Sequence, residues 1–137
     1  MLVRRVSAQD CYVLRESILR PGQPKENWTF DADDDTRTIH LAMKDDDEIV
    51  AIVSLLPEEK EGCPWRLRGM AVKEELRGQG VGQQLLLALF EQAHNSIWCT
   101  ARKRVAEFYL KNGFEIFGDE FTMNDMPHVY MRWFATP

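Results

Sequence analysis

The residues with the clearest chemical potential are Arg77-Gly78-Gln79-Gly80-Val81-Gly82, placed where an aliphatic strand pattern gives way to a helical one. Glycines lack the Cβ that would shield the main chain, so several N–H groups can face one concave site. The first turn of a helix adds free N–H donors and the positive end of its dipole. Together these make a cradle for an anion, a pyrophosphate above all, and Arg77 can add a charge-assisted contact. A Walker loop is excluded, because no Gly-Lys-Ser/Thr follows. A dinucleotide fingerprint fails on spacing, which here is R-x-x-G-x-G, and on position, since it belongs in the first βα unit. The same glycines would also serve a plain tight turn.

Other residues could handle protons or charge. His128 follows Met126-Pro127 near the start of a late strand, and an imidazole with an ordinary pKa near 6.5 suits a general base. His40, between Ile39 and Leu41, and His94, at a helix end, fit structural, surface or capping roles better. Arg66 and Arg68 project from one face of a strand and could hold an anionic group, with Arg15 on the first helix as a further candidate. Arginines lining a pocket would point to an acceptor bearing a carboxylate or phosphate; the overall acidity points instead to a polyamine or a basic protein tail. The run Asp31-Ala32-Asp33-Asp34-Asp35 lacks a glycine at the sixth position (Thr36) and a glutamate at the twelfth (Ala42). It therefore reads as a solvated loop and not as a calcium loop.

The elements that must position these groups are legible from periodicity. Residues 2–6 form a short strand, and Ser7 or Asp10 caps a helix that buries Val13, Leu14, Ile18 and Leu19. Pro21-Gly22 ends it, and a polar loop over 23–35 carries Trp28 and Phe30 as a lid or as two packing anchors. Strands at 36–43 and 48–56 flank an acidic turn at 44–47. In the strand over 66–72, simple alternation puts Leu67, Gly69 and Ala71 on one side and Arg66, Arg68, Met70 and Val72 on the other. Gly69 marks a bulge or a close backbone approach. A helix from Gly80 buries Val81, Leu85, Leu86, Leu89, Phe90 and Ala93. A strand at 96–100, a helix at 103–111 stopped by Asn112-Gly113, and strands at 114–117 and 129–134 complete an α+β or mixed α/β sandwich.

Composition sets the outer bounds. A chain of 137 residues with 45% hydrophobic and 28% charged content fits one globular domain, 1–137, with no internal repeat or linker. A net charge of −5 disfavours nucleic acid as a partner. No apolar h-region or membrane-length run is present, so no membrane association and a cytoplasmic location are expected. Cys11, Cys63 and Cys99 show no metal or CxxC spacing and read as reduced packing residues.

Two segments together resemble the GNAT superfamily of acyl-CoA N-acyltransferases. The cofactor motif Gln/Arg-x-x-Gly-x-Gly/Ala is matched by Arg77-Gly78-Gln79-Gly80-Val81-Gly82. The helix end Ala106-Glu107-Phe108-Tyr109-Leu110-Lys111-Asn112-Gly113-Phe114 is similar to the family's FY-x-K-x-GF pattern. The resemblance implies a mixed, mostly antiparallel sheet of about seven strands in the order β-α-β-β-β-α-β-α-β-β. It implies acetyl-CoA as cofactor, with Met70, Ala71 and Val72 pairing with the pantetheine arm, and an amine of a small molecule or peptide as acceptor. It further implies that Tyr109 protonates the departing thiolate and that the late strand carrying His128 borders the acceptor. A backbone N–H near Met70 to Val72 could polarise the carbonyl. Two departures stand out: Arg102, placed to meet the cofactor, replaces a frequent asparagine, and Glu74 replaces a frequent proline. A non-catalytic acyl-CoA sensor would carry the same cofactor motif, and the late strands are compatible with a homodimer.

Overall fold

The computed structural model describes residues 1–135. Strand β1 (Leu2–Val6) leads into α1 (Ala8–Leu14), whose start is fixed by a capping box: the Ser7 side chain accepts from the Asp10 N–H, and the Asp10 carboxylate accepts from the Ser7 N–H. The helix continues as a π-helical turn, Arg15–Leu19. The buried residues Ala8, Cys11, Leu14 and Arg15 recur at ordinary helical spacing, which leaves Val13 exposed, contrary to the expected apolar face. After a loop over residues 20–38 that contains a short 3-10 turn, Lys25–Asn27, come β2 (Ile39–Asp45), β3 (Glu48–Leu56) and β4 (Trp65–Val72). Helix α2 (Val81–Ala93), β5 (Ile97–Arg102), α3 (Ala106–Lys111), β6 (Glu115–Met123) and β7 (Met126–Trp133) follow.

The seven strands lie in the order β1-β2-β3-β4-β5-β7-β6. All neighbours are antiparallel except β4 and β5, which are parallel and pair only at Trp65↔Ile97 and Arg66↔Trp98. Beyond Arg66 the two strands part, and the centre of the sheet opens. The α/β class and the element order agree with the expectation from sequence.

Each face of the sheet has its own core. On one face α2 and α3 bury Leu85, Leu86, Leu89 and Tyr109 against Leu41, Val53, Leu67 and Met131. On the other, α1 packs Cys11 and Leu14 on Ala42, Ile52 and Ala71, and Trp98 and Phe117 enclose Cys63. Leu67 and Ala71 thus lie on opposite faces, although strict alternation puts them together. The cause is a bulge: Ile52 pairs with Ala71 but Ser54 pairs with Arg68, so β4 carries one residue more than β3 over this span. Gly69 sits there at φ +68°, a left-handed conformation suited to glycine.

Two other differences from the expectation have local causes. β6 and β7 run far beyond residues 117 and 129 because Asn124 and Asp125 both adopt positive φ and close a two-residue hairpin between Met123 and Met126. The acidic run is only partly solvated: Asp33 is buried and receives both Arg15 nitrogens, Nη1 to Oδ2 at 2.8 Å and Nη2 to Oδ1 at 2.9 Å. Ser54 Oγ accepts a third Arg15 bond at 3.0 Å and lies 2.6 Å from His40 Nδ1, while His40 Nε2 lies 3.0 Å from the Asp33 carbonyl oxygen. This network ties α1, the long loop, β2 and β3 together and gives His40 a structural place.

Breaking the buried pair from one side leaves an uncompensated charge, which costs about 3–5 kcal/mol. Asp33→Ala is therefore expected to lower the urea midpoint sharply, whereas Asp35→Ala, which removes the half-buried partner of the exposed Arg37, lowers it far less.

Candidate active site

The parting of β4 and β5 creates a cleft of about 930 Å³ that runs through the sheet. Its lining comes from β4 between Arg66 and Val72, the turn into α2, the end of β5 with α3, the helical turn and long loop after α1, and Met123 and His128 of the β6–β7 hairpin. Past Arg66 the inner edge of β4 has no strand partner, so its N–H and C=O groups face the cleft at peptide spacing. Met70, Ala71 and Val72 all lie on this open edge.

At the C-terminal end of β4 the chain makes a 3-10 turn, Glu74–Leu76, and enters the glycine segment. Gly78 and Gly80 adopt φ +79° and +81°, and a Cβ at either would meet nothing within 4 Å. These glycines are required by backbone conformation, not by crowding. Gly80 is the N-cap of α2 and no side chain caps the helix, so its first N–H groups remain free toward the cleft. Gly82 is different: its φ is helical, and a Cβ there would stand 3.4 Å from the Phe108 ring. Arg77 donates from Nε to the Val72 carbonyl at 3.3 Å and lines the cleft with Gly78, Gly80, Val81 and Gly82. The Gln79 side chain instead donates to the Glu75 carbonyl and lies off the lining. Gln83, Arg104 and Lys111 also line this end, although the sequence pattern did not single them out. Basic residues just after a glycine-marked cleft were the signal available.

Tyr109 is buried on the α2/α3 face, held edge-on between Phe108 and Phe114. Its hydroxyl donates only to Met70 Sδ, at 3.8 Å, a weak acceptor on the opposite wall of the cleft. Burial pushes the phenol well above the ordinary tyrosine value, and Cys99 acts in the same direction. The group is therefore a neutral O–H donor across the accessible pH range. Cys99 and Cys11 are themselves buried, their thiols pushed up to about 12 and about 11 chiefly by burial, as suits packing residues.

His128 lies across the sheet from Tyr109. Its strand neighbours Val129 and Met131 belong to the α2/α3 core, so alternation turns His128 to the α1 face. There it pairs in register with Arg102 on β5 and Phe121 on β6. Its Nδ1 is 2.9 Å from the Met126 carbonyl, which can only accept, so in the neutral imidazole Nδ1 carries the proton and Nε2 the lone pair. The register with His128 puts Arg102 on the α1 face as well, away from the face of Tyr109. Arg66 and Arg68 share this face; Arg66 pairs with Glu58 at 3.1 Å, and Arg68 lies 4.1 Å over the Phe30 ring. Arg15 lines the cleft, yet its two Nη groups are committed to Asp33, Ser54 and the Trp28 carbonyl. Phe30 fits against β4 because residue 69 is a glycine: a Cβ there would come within 3.1 Å of the ring. Trp28 and Phe30 are anchored packing residues that also line the cleft.

A sheet parted at a parallel pair, an open strand edge inside it and an uncapped helix start behind a glycine turn define an acyl-CoA-binding architecture of the N-acyltransferase type. Comparison with known proteins agrees. Residues 36–116 match the family model described as an acetyltransferase (GNAT) domain. The uncharacterized N-acetyltransferase YitI of Bacillus subtilis is 33% identical over 135 residues, covering 93% of this chain and 89% of that protein. Among solved structures, Escherichia coli ElaA superposes with a TM-score of 0.82 at 20% identity, covering 96% of this chain and 98% of the other. An acyl-CoA N-acyltransferase from Pseudomonas aeruginosa gives 0.76 at 21% identity with the same coverage. An aminoglycoside 6'-N-acetyltransferase complexed with coenzyme A gives 0.77 at 16%, covering 100% of this chain and 98% of that one. The chain belongs to the GNAT acetyltransferase family.

The cradle can be tested by backbone conformation. Gly80→Val forces a β-branched residue into a left-handed φ and is expected to weaken coenzyme A binding by about tenfold or more in calorimetric titration. Gln79→Ala should leave the affinity unchanged, because that side chain is turned to Glu75.

Proposed function

We propose that the protein transfers an acetyl group from acetyl-CoA to a primary amine by direct attack on the thioester. The observation that carries this reading is the arrangement of Tyr109 and His128 on opposite faces of the sheet, both lining a single cleft. The residues fit the cofactor: the amides of the open β4 edge suit the pantetheine arm, and the free N–H groups around Gly78, Gly80, Val81 and Gly82 suit the pyrophosphate. Arg77, with Arg104 and Lys111 at the same end, supplies positive charge. Gln79 would contribute through its backbone alone.

When bound, acetyl-CoA supplies an acyl carbon already activated as a thioester. The reaction exchanges its C–S bond for a C–N bond; the amine loses one proton and the sulfur gains one. His128 Nε2, with its lone pair held toward the α1 face, is suited to take the amine proton directly or through a water. The bulge at Gly69 breaks the β3–β4 ladder, which frees main-chain donors near Met70 to stabilise negative charge on the carbonyl oxygen. Tyr109 gives its proton to the sulfur. Its present partner is the thioether of Met70, so the hydroxyl exchanges one weak sulfur acceptor for a much stronger anionic one.

Two kinetic outcomes follow. Tyr109→Phe should lower kcat by about 10²–10⁴-fold with little change in the KM for acetyl-CoA, measured by thiol release. Because burial raises the phenol pKa, the wild-type rate should show no decline attributable to phenol ionisation up to about pH 10. Unimpaired turnover in Tyr109→Phe would remove the tyrosine from the proposed role.

A further inference from the structure

The charge lining the cleft is one-sided. The chain carries 22 acidic and 17 basic residues, yet among the described residues no aspartate or glutamate lines the cleft, whereas Arg15, Arg20, Arg66, Arg68 and Arg102 line it on the α1 side. The net acidity therefore resides elsewhere, on the Asp45–Glu48 hairpin and the loop around Asp31 and Asp34 among other places. An oligoamine or basic peptide needs carboxylates to hold its remaining cations, and this cleft offers none.

The arginines at this end are not all neutralised. Asp33 answers Arg15 and Glu58 answers Arg66, but Arg20 and Arg68 have no carboxylate partner among the described residues. Burial lowers the Arg68 pKa from its ordinary value and the neighbouring charge of Arg66 adds to this; Glu58 opposes the shift, and Arg15 and Arg20 add smaller contributions to it. Among the described residues, two buried side-chain polar atoms lack any hydrogen-bond partner, and they are the Nε groups of Arg15 and Arg66. Buried donors without acceptors cost free energy, but both Nε groups are closed to solvent, so the group left open to an incoming anion is the guanidinium of Arg68. These groups are poorly placed for the cofactor's phosphates. Arg68 lies four residues before Val72, roughly 13 Å along the strand, and on the α1 face.

We propose that the acceptor is a small amine carrying its own anion, a carboxylate or a phosphate, bound by Arg68 with Arg15 and Arg66 beside it. This rests on the acyltransferase reading and specifies the acceptor of that site. Anchoring the anion at Arg68 leaves the amine free to approach the opening between β4 and β5, where His128 Nε2 can take its proton. Phe30, held by Gly69 beneath Arg68, supplies an apolar wall for the acceptor's carbon skeleton.

The test uses matched acceptors with the full chain and acetyl-CoA. α-Amino acids are compared with their amides, aminoalkyl phosphates with the corresponding amino alcohols, and spermidine serves as the polycation. Turnover is read by thiol release, and binding to the coenzyme A-loaded protein by calorimetry. The anionic member of at least one pair is expected to lead its neutral partner by about 10–100-fold in kcat/KM or affinity. The carboxylate and phosphate arms identify which anion is preferred. Arg68→Gln should raise the KM for that acceptor, abolish the preference and leave the KM for acetyl-CoA unchanged, while Arg68→Lys restores part of it. Equal or better use of the neutral amines or spermidine, or no anion preference in either assay, would overturn the proposal. Failure to bind coenzyme A would instead overturn the acyltransferase reading on which it rests.

Discussion

The site depends on a sheet that is left incomplete at its centre. A parallel strand pair normally continues for the length of both strands, but β4 and β5 share only their first two positions before parting. The exposed edge would be a liability on an outer strand, where it could recruit another chain. Here it is enclosed by the helices of one face and by α1 and its loop on the other, so its hydrogen-bonding groups serve a narrow cleft. The cleft also joins two environments that the sheet otherwise separates. An apolar face holds a tyrosine neutral, and an arginine-rich face holds a histidine with one nitrogen free.

Keeping that opening in shape requires rigid walls. One wall is the main core between the sheet and α2, with Leu85, Leu86 and Leu89 fully buried. The other is smaller and depends on polar contacts. Arg15, Asp33, Ser54 and His40 lock the loop after α1 onto β2 and β3, and Phe30 is carried on that loop. Arg15 opens the π-helical turn Arg15–Leu19 and, four residues after Cys11, lies on the same buried side of the helix. The buried ion pair therefore fixes the position of an acceptor-side wall as well as the fold.

Local features were legible in the sequence and relations between distant residues were not. The glycine cradle could be read because Gly78 and Gly80 meet a purely local demand, positive φ at the entry to a helix. Strand β3 was read with its observed bounds, since its aliphatic run is continuous between two turns. The bulge at Gly69 was also readable, but its effect on Ala71 was not, because a phase shift shows only against the partner strand. The β6–β7 hairpin was cut short for want of an Asn-Gly or Asp-Gly turn, although Asn124-Asp125 supplies the same backbone conformation. Asp33 looked like one of several solvated acids. Nothing local distinguishes it from Asp34, and its partner lies 18 residues away on another element. Arg102 could be recognised as a departure from the usual asparagine, but only the register of β5 on β7 shows that it sits beside His128.

The single extra residue at Gly69 divides β4 into two segments with independent phase. Upstream, Arg66 and Arg68 turn to the α1 face; downstream, Met70 and Val72 pack on the α2/α3 core. In an unbroken strand these four side chains would share one face, and any change to one set would disturb the other. The offset lets the upstream side chains be set independently of the downstream ones. One glycine thus gives a single strand two separately addressable surfaces, each answerable to a different layer of the molecule.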